Sequence, residues 1–298
     1  MNRENAALTS PPTAAKARVR LKGWGQRFSW FDVTAYPLLI LWAIIALLPL
    51  YWMFTTSFRV STHIMEMPPQ FWPKPASLEN YRRLLLNATV LRWVLNSVIV
   101  TGSITLINVF FCTLAGYTLA KKDFPGRSLI FWAFIGMMMV PNQVTLVPLF
   151  ILMTDLGLVN TYGGLIIPGL FAPFGIFLMK QFIQTLPSEL IDAAKIDGAS
   201  EVAVFIRIIF PLAKPGWAAL AIFLFAENWN DFLLPLVVTN AETMRTLQVG
   251  LATLQTRYLT DYSLLMAGAG ISALPMIIVF LAFQRYFVQG ITVGSVKG

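Results

Sequence analysis

The scarcity of charged side chains separates this chain from soluble proteins. Of its 298 residues, 57% are hydrophobic and 12% are charged, whereas soluble domains carry about 25% charged residues. So little charge cannot cover the surface of a soluble globule, which excludes a soluble enzyme and a disordered chain. The single cysteine excludes a disulfide scaffold. The composition therefore predicts an integral membrane protein.

Six apolar stretches are long enough to cross a membrane, which takes about 20 residues of helix. They are continuously apolar, unlike the alternating strands of a membrane barrel. The predicted spans are residues 33–58, 93–120, 128–154, 156–179, 215–238 and 262–284, with Glu227 and Asp231 interrupting the fifth. The predicted fold class is an all-α membrane protein with six transmembrane helices.

Lysine and arginine are unevenly divided between the segments that connect these spans. When the N-terminus is placed inside, the inner segments hold 15 of the 22 basic residues. Because cytoplasmic loops are enriched in Lys and Arg, both termini are predicted to face the cytoplasm. The net charge of +8 is then an orientation signal, and no nucleic-acid partner is expected.

Composition divides the chain into three parts. Residues 1–32 form a basic leader, predicted to be flexible and to rest on anionic membrane lipid. Residues 33–290 form the six-helix domain, and residues 291–298 form a cytoplasmic tail. In the first outer loop, near-helical apolar spacing after Ser77 predicts a short amphipathic helix. His63 in the same loop is the single histidine, so no metal site is predicted.

Residues 186–214, between spans four and five, predict a cytoplasmic helix-turn-helix. Ser188 is a suitable N-cap, and Gly198 is placed to end the first helix in a left-handed conformation. Ser200 can cap a second helix, which is expected to stop at Pro211. A patch of small side chains that lets another protein approach closely consists of Ala193, Ala194, Gly198 and Ala199. From the residues alone, a docking element and a packed inner loop without a partner fit equally well.

This segment resembles the cytoplasmic loop of the permease subunits of binding-protein-dependent ABC importers. In that family, Glu-Ala-Ala precedes a glycine and, further on, an isoleucine and Leu-Pro. The matching residues are Asp192-Ala193-Ala194, Asp197-Gly198-Ala199, Ile209 and Pro211. Asp192 stands in place of the family's glutamate and Phe210 in place of the leucine, and neither change removes the acid or the turn.

The resemblance extends, in order, over roughly residues 35–298. It is greatest to the carbohydrate-uptake branch, and within it to the maltose-type second permease subunit. Supporting stretches include Asn80-Tyr81, Asn96-Ser97, Trp229-Asn230-Asp231 and the run from Gln284 to Gly290.

The resemblance implies an assembly in the bacterial inner membrane. Its other members would be a second homologous permease subunit, two ATPase subunits that bind ATP and Mg, and an external solute-binding protein that delivers a sugar or oligosaccharide. This chain would bind no cofactor and catalyse no reaction. The ATPase-coupling residues would be Glu189, Asp192, Ala193, Ala194, Asp197, Gly198 and Ala199. In the tail, Gly294 and Lys297 would contact the ATPases.

Polar residues near the centres of three spans are candidates for the translocation path. A carboxylate at that depth costs about 2.5–3.5 kcal/mol unless it faces water or a partner. Glu227 and Asn228 are therefore predicted to face the path or the partner subunit, with Trp229 as a wall residue. The other candidates, for which helix–helix contact is the alternative, are Asn142, Gln143 and Asn108.

Two other functional classes fit the sequence less well than the importer does. The alternative is a stand-alone secondary transporter or channel for a small polar solute. Such a protein is expected to contain two repeated halves with paired broken helices, and no internal repeat is evident in the sequence. The sequence lacks the catalytic residues of an intramembrane enzyme, because one histidine and one cysteine provide neither a nucleophile–base pair nor a metal cluster. No Gly-Lys pair occurs, so a phosphate-binding loop is absent and ATP hydrolysis must come from another chain.

Overall fold

The computed structural model describes residues 30–60, 71–254 and 261–293, and within these ranges the regular structure is helical. The only other regular feature described is an isolated bridge between Arg59 and Ala76. The helices are α1 (Trp30–Ser57), α2 (Glu79–Leu85), α3 (Ala88–Lys121), α4 (Arg127–Met138), α5 (Asn142–Asp155), α6 (Tyr162–Ile166), α7 (Pro173–Gln184), α8 (Glu189–Ile196), α9 (Glu201–Val204), α10 (Phe210–Leu212), α11 (Lys214–Trp229), α12 (Leu233–Val238), α13 (Leu247–Thr253) and α14 (Tyr262–Val293). Single turns of 3₁₀-helix lie at Ile167–Leu170 and Glu242–Met244, and a π-helical stretch, Phe205–Ile209, joins α9 to α10.

The chain divides into two compact units, one ending at Pro49 and the other beginning at Leu50. The described part of the first unit is the apolar N-terminal portion of α1, which contains Pro37 and Pro49. The second unit holds the remaining helices and every candidate site residue that the structure describes.

Three helices are long and apolar enough to cross a membrane unaided, namely Thr34–Ser57, Ala88–Lys121 and Tyr262–Arg285. They coincide with predicted spans one, two and six. Three further pairs of helices meet the same criterion only as bent pairs, which gives three to six candidate spans. The all-helical membrane fold is therefore confirmed, whereas the count of six and the orientation of the termini stay predictions.

Predicted spans three and four are bent rather than straight. Helices α4 and α5 meet at 96°, and the stretch from Tyr162 to Leu170 meets α7 at 43°. Both bends lie at prolines, since Pro141 precedes α5 and Pro173 begins α7. Proline has no backbone N–H and disfavours the helical conformation of the residue before it. A helix therefore ends or kinks at this position.

Predicted span five, residues 215–238, is divided near the two acids that interrupt its apolar stretch. Helix α11 ends at Trp229, and α12 starts only at Leu233. The third bent pair joins residues Glu201–Leu212 to α11 at 75°. The second helix of the segment between spans four and five ends at Leu212, one residue after the predicted stop at Pro211.

The predicted short helix of the outer loop is present as α2. Its Asn80 side chain donates to the carbonyl oxygens of Ser57 and Arg59, at 2.9 and 2.8 Å, and so holds the chain that leaves α1. Asn87 then caps α3 by accepting from the backbone N–H of Thr89 at 2.9 Å. The asparagine cap explains why the helical pattern after Ser77 forms two helices instead of one.

Helix α3 packs against both α7 and α11 and joins them in one core. One buried cluster of this core contains Tyr117 from α3, Met179 and Ile183 from α7, and Leu220 from α11. The same cluster takes in Phe205 from the predicted coupling segment. The segment between spans four and five is thus packed onto the spans through its second helix.

The crossing of α3 and α7 depends on Gly116. A Cβ atom at this position would lie 2.7 Å from Cβ of Met179 and 2.8 Å from the backbone nitrogen of Lys180. Such distances are far shorter than carbon contacts in a packed core, and backbone atoms cannot rotate away. The absent side chain is what lets the two helices approach.

We expect Gly116→Ala to lower the unfolding free energy by about 1–3 kcal/mol through overpacking. The matched control is Gly102→Ala in the same helix, where an added Cβ meets no atom within 4 Å. There alanine should raise stability, by up to about 1 kcal/mol, because it favours a helix over glycine. Thermal unfolding of the purified protein in detergent measures both changes. Equal effects of the two substitutions would show that the close approach is not a constraint.

Candidate functional site

A cavity of about 620 Å³ lies in the second unit where three interruptions of the helices meet α3. Its walls come from α3, from the α4–α5 bend, from the chain before α7 and from the end of α11 with α12. Interrupted helices leave backbone groups without partners, and such backbone is tolerated at membrane depth only where it is buried in protein or lines a polar cavity. The bends at Pro141 and Pro173 therefore help to shape this site.

Four predicted path residues line the cavity. They are Glu227 and Asn228 on α11, and Asn142 and Gln143 at the start of α5. Among the described residues, the carboxylate of Glu227 has neither a hydrogen bond nor an ion pair, while Asn228 donates to the carbonyl oxygen of Leu224 at 2.7 Å. The bend at Pro141 and the end of α11 bring together polar residues that are far apart in sequence.

The lining has a one-sided charge. Asp231 joins Glu227 as a second acid, and no Lys, Arg or His is among the described residues that line the cavity. Thr246 adds a hydroxyl group that is buried without a hydrogen-bond partner in the described part of the chain. An unpaired buried hydroxyl costs about 1–3 kcal/mol, which a solute hydroxyl could recover. Sequence reasoning missed Thr246, which stands in no apolar stretch.

Trp229 and Asn108 lie away from the cavity. The Trp229 side chain is 2% exposed, its Nε1 donates to the carbonyl oxygen of Ser272 at 2.9 Å, and its ring stacks on Phe225 with centroids 5.6 Å apart. Asn108 is also buried and donates to the carbonyl oxygen of Gly169 at 2.8 Å. Both residues hold helices together, which for Asn108 is the alternative that its sequence context allowed.

Asn96 and Ser97 in the N-terminal part of α3 bind the chain beside the cavity. The Asn96 amide donates to the carbonyl oxygens of Thr243 and Arg245, at 2.9 and 2.8 Å, and its oxygen accepts from the Tyr162 hydroxyl at 2.7 Å. Ser97 accepts from the backbone N–H of Leu247 at 2.8 Å. These bonds fix the segment that carries Thr246 against α3.

The coupling segment, residues 186–214, has the predicted turn. Gly198 has φ +80°, a left-handed conformation that glycine adopts without strain. The Ser200 hydroxyl accepts from the backbone N–H of Ala203 at 3.3 Å and caps α9 as predicted. The Ser188 side chain, in contrast, does not cap α8, because its hydroxyl accepts from Lys121 Nζ at 3.1 Å.

Most predicted coupling residues are on the surface of this segment. Ala194 and Ala199 are half-buried against the core of the spans. The exposed ones are Glu189, Asp192, Ala193, Asp197 and Gly198. Acids and small side chains therefore share one accessible surface around the α8–α9 turn.

An exposed apolar side chain completes that surface. Ile196, the last residue of α8, is 87% exposed, and Val202 in α9 is 67% exposed. Sequence reasoning passed over Ile196, although its position five residues after the buried Ile191 puts it on the opposite side of a helix with 3.6 residues per turn. The surface around the α8–α9 turn therefore carries exposed apolar side chains as well as acids and small residues.

A cluster of charged side chains joins the coupling segment to the end of α3. Glu201 forms ion pairs with Lys122, which follows α3, and with Lys195 of α8, the latter at 3.1 Å. The Tyr117 hydroxyl donates to the same carboxylate at 3.3 Å. Lys121 donates to the carbonyl oxygen of Leu186 at 2.6 Å. Both helices of the segment are thereby tied to α3.

Some predicted residues lie outside the described part of the chain. They are the tail residues Gly294 and Lys297 and the loop residue His63. Within the described ranges, no group of three or more His, Cys, Asp or Glu side chains could hold a metal ion.

Comparisons with known proteins agree with this architecture. The sequence is 41% identical over 259 residues to the arabinooligosaccharides transport system permease protein AraQ of Halalkalibacterium halodurans, covering 86% of this chain and 93% of the relative. It is 34% identical over 274 residues to the diacetylchitobiose uptake system permease protein NgcG of Streptomyces coelicolor, covering 90% and 89%.

A solved structure has the same fold. It is a bacterial ABC transporter involved in the import of the acidic polysaccharide alginate, and a chain of it matches with a TM-score of 0.78 and 24% identity, over 88% of this chain and 99% of that one. Residues 112–293 match the family described as the binding-protein-dependent transport system inner membrane component. That match takes in the cavity walls from α4 onwards and the whole coupling segment. This chain belongs to the family of inner membrane components of binding-protein-dependent transport systems.

Proposed function

We propose that this chain is the permease subunit through which an ATP-driven importer moves a sugar or oligosaccharide across the bacterial inner membrane. The observation that carries the proposal is the cavity at the interrupted helices, which is lined by the Glu227 carboxylate and by the Thr246 hydroxyl, both without a hydrogen-bond partner in the described part of the chain. Membership of a binding-protein-dependent family favours this function over a stand-alone secondary transporter or channel.

The size and lining of the cavity suit a sugar. Ligand sites typically enclose about 300–1,000 Å³ and combine apolar walls with a few well-placed polar groups, and this cavity has about 620 Å³. Phe171 and Phe174 provide aromatic surface beside Asn142 and Gln143. Relatives named for arabinooligosaccharides and diacetylchitobiose support a carbohydrate as the solute.

The assembly that we propose contains three further chains and an external protein. A second homologous permease subunit pairs with this one, two ATPase subunits bind ATP and Mg, and a solute-binding protein delivers the sugar from outside. The excess of basic residues in the inner segments supports six spans with both termini and the coupling segment in the cytoplasm. The exposed Ile196 and the acids around it then form the surface that docks on an ATPase. Gly294 and Lys297 are proposed as additional ATPase contacts.

Uptake into proteoliposomes tests the proposal. The complete complex is reconstituted with its binding protein, and entry of radiolabelled arabinotriose and diacetylchitobiose is followed with and without ATP inside the vesicles. ATP-dependent entry of either sugar that also requires the binding protein supports the importer. Entry at the same rate without ATP would support the stand-alone transporter instead.

We expect Glu227→Gln to slow uptake by about tenfold or more, because hydrogen bonds to a charged group contribute about 1.5–3 kcal/mol. The matched control is Glu242→Gln, which removes an exposed carboxylate outside the cavity and leaves the backbone carbonyl that accepts from Trp93 intact. Uptake rates and the yield of the assembled complex are measured together. A loss of assembly in the Glu227 variant would place this residue at the subunit interface rather than on the path.

A further inference from the structure

The coupling segment is fixed to α3 at both of its helices. Lys121 holds the chain where α8 begins, through the carbonyl oxygen of Leu186 and the hydroxyl of Ser188. Lys122 holds the start of α9 through Glu201. Glu201 also pairs with Lys195 near the end of α8, so the two helices of the segment are joined to each other as well. A displacement of one helix is therefore transmitted to the other and to α3.

The middle of the same helix forms a wall of the cavity. α3 is continuous from Ala88 to Lys121 and contains no proline. Thr101 and Ile104 of this helix line the cavity. The distance from Ile104 to Lys121 along the axis is about 26 Å at 1.5 Å per residue. One rigid element thus connects the charged cluster to the site of the solute.

We propose that Lys122 and Glu201 are positioning residues that make the coupling segment and α3 move as one body, so that a movement driven by the ATPase at the segment reaches the cavity wall. The inference rests on the proposed function, since it needs an ATPase docked on the segment. Neither residue touches the solute or ATP. Their role is to convert hydrolysis into transport.

Stability alone does not explain the cluster. Exposed ion pairs contribute about 0–1 kcal/mol, and the Glu201 side chain is 56% exposed. Its geometry is nevertheless specific, because one carboxylate accepts from Tyr117 and pairs with Lys122 and Lys195, three residues on two sides of the joint. Packing of Phe205 on Tyr117, with stacked rings 5.9 Å apart, supports the same joint from its apolar side.

The test is the number of solute molecules transported per ATP hydrolysed by the complete complex in proteoliposomes, with arabinotriose and diacetylchitobiose as probes. We expect Lys122→Gln and Glu201→Gln each to lower this ratio by about fivefold or more, the lower range of coupling between sites, while hydrolysis continues. Lys122→Arg keeps the charge and should keep the ratio. The double variant should be no worse than Glu201→Gln alone, because Glu201→Gln already removes the contact with Lys122.

A nearby ion pair provides the control. Asp123 pairs with Arg127 at 2.6 Å four residues away, without reaching the coupling segment. Asp123→Asn should therefore leave the ratio unchanged. The proposal is overturned if the ratio is unchanged in the two glutamine variants, if Lys122→Arg behaves as Lys122→Gln does, if the single effects add in the double variant, or if the variants lose their ATPase subunits. An absence of ATP-dependent uptake by the unmodified complex would instead overturn the proposed function.

Discussion

Replacing Ile196 by aspartate is expected to release the ATPase subunits from this permease. The side chain is 87% exposed at the end of α8. Aspartate at this position removes the apolar contact with the ATPase. It also adds a carboxylate that is repelled by the neighbouring Asp192 and Asp197. Central interface residues contribute about 2 kcal/mol or more, which corresponds to roughly 30-fold weaker binding. Co-purification of the ATPases with the tagged permease, and uptake into proteoliposomes, measure the effect.

Two controls separate docking from folding for this residue. Ile196→Val keeps an apolar side chain and should retain the ATPases. The unfolding midpoint of Ile196→Asp should equal that of the unmodified chain, because an exposed side chain contributes little to the core. Retention of the ATPases by the aspartate variant would show that the docking surface lies elsewhere.

Trp229→Ala is expected to destabilise the permease by about 3–5 kcal/mol, the range for removing a large aromatic side chain from a core. The ring is 2% exposed, stacks on Phe225 and donates to Ser272 on α14. Its removal leaves a cavity between α11 and α14 and removes the hydrogen bond to Ser272. The measurement is the unfolding midpoint together with the yield of folded protein.

Trp229→Phe distinguishes packing from a role in the path. It keeps most of the ring and loses the hydrogen bond to Ser272, so the expected cost is about 0.5–1.5 kcal/mol. Its relative uptake of arabinotriose and diacetylchitobiose should be unchanged, since Trp229 is not among the residues that line the cavity. A changed preference with normal stability would restore Trp229 as a wall residue.

Local chemistry explains which parts of the fold the sequence predicts. The Gly198 turn and the Ser200 cap depend on residues within four positions of each other, and both are present. The three straight spans follow from apolar stretches longer than the membrane core is thick. The family was correctly identified from the residues of the coupling segment.

Long-range geometry explains what the sequence does not predict. A proline in an apolar stretch marks where a helix can kink but does not determine the angle. The 96° angle between α4 and α5 is therefore known only from the structure. The partner of Trp229 is 43 residues away, and nothing near the tryptophan identifies it. If each span is taken as a straight helix, Asn108 and Glu227 lie at the same depth in the membrane. In the structure, Asn108 donates to the carbonyl oxygen of Gly169 and is not among the residues that line the cavity.

The same limit applies to the charged cluster. Lys122 and Glu201 are 79 residues apart, and each is unremarkable in its own stretch of sequence. Only the packing of α9 on the end of α3 brings them together, through Phe205 and Tyr117. The functional meaning of a charge in this chain therefore depends on which helix ends meet.

Stimulation of ATP hydrolysis by the solute-loaded binding protein tests most directly whether this chain couples the outside of the membrane to an ATPase. The complete complex in proteoliposomes is supplied with the binding protein, with and without solute, and phosphate release is measured. The unmodified permease should give hydrolysis that rises with the loaded protein, and Ile196→Asp should abolish that rise. Uptake that continues while hydrolysis does not respond to the binding protein would contradict the importer.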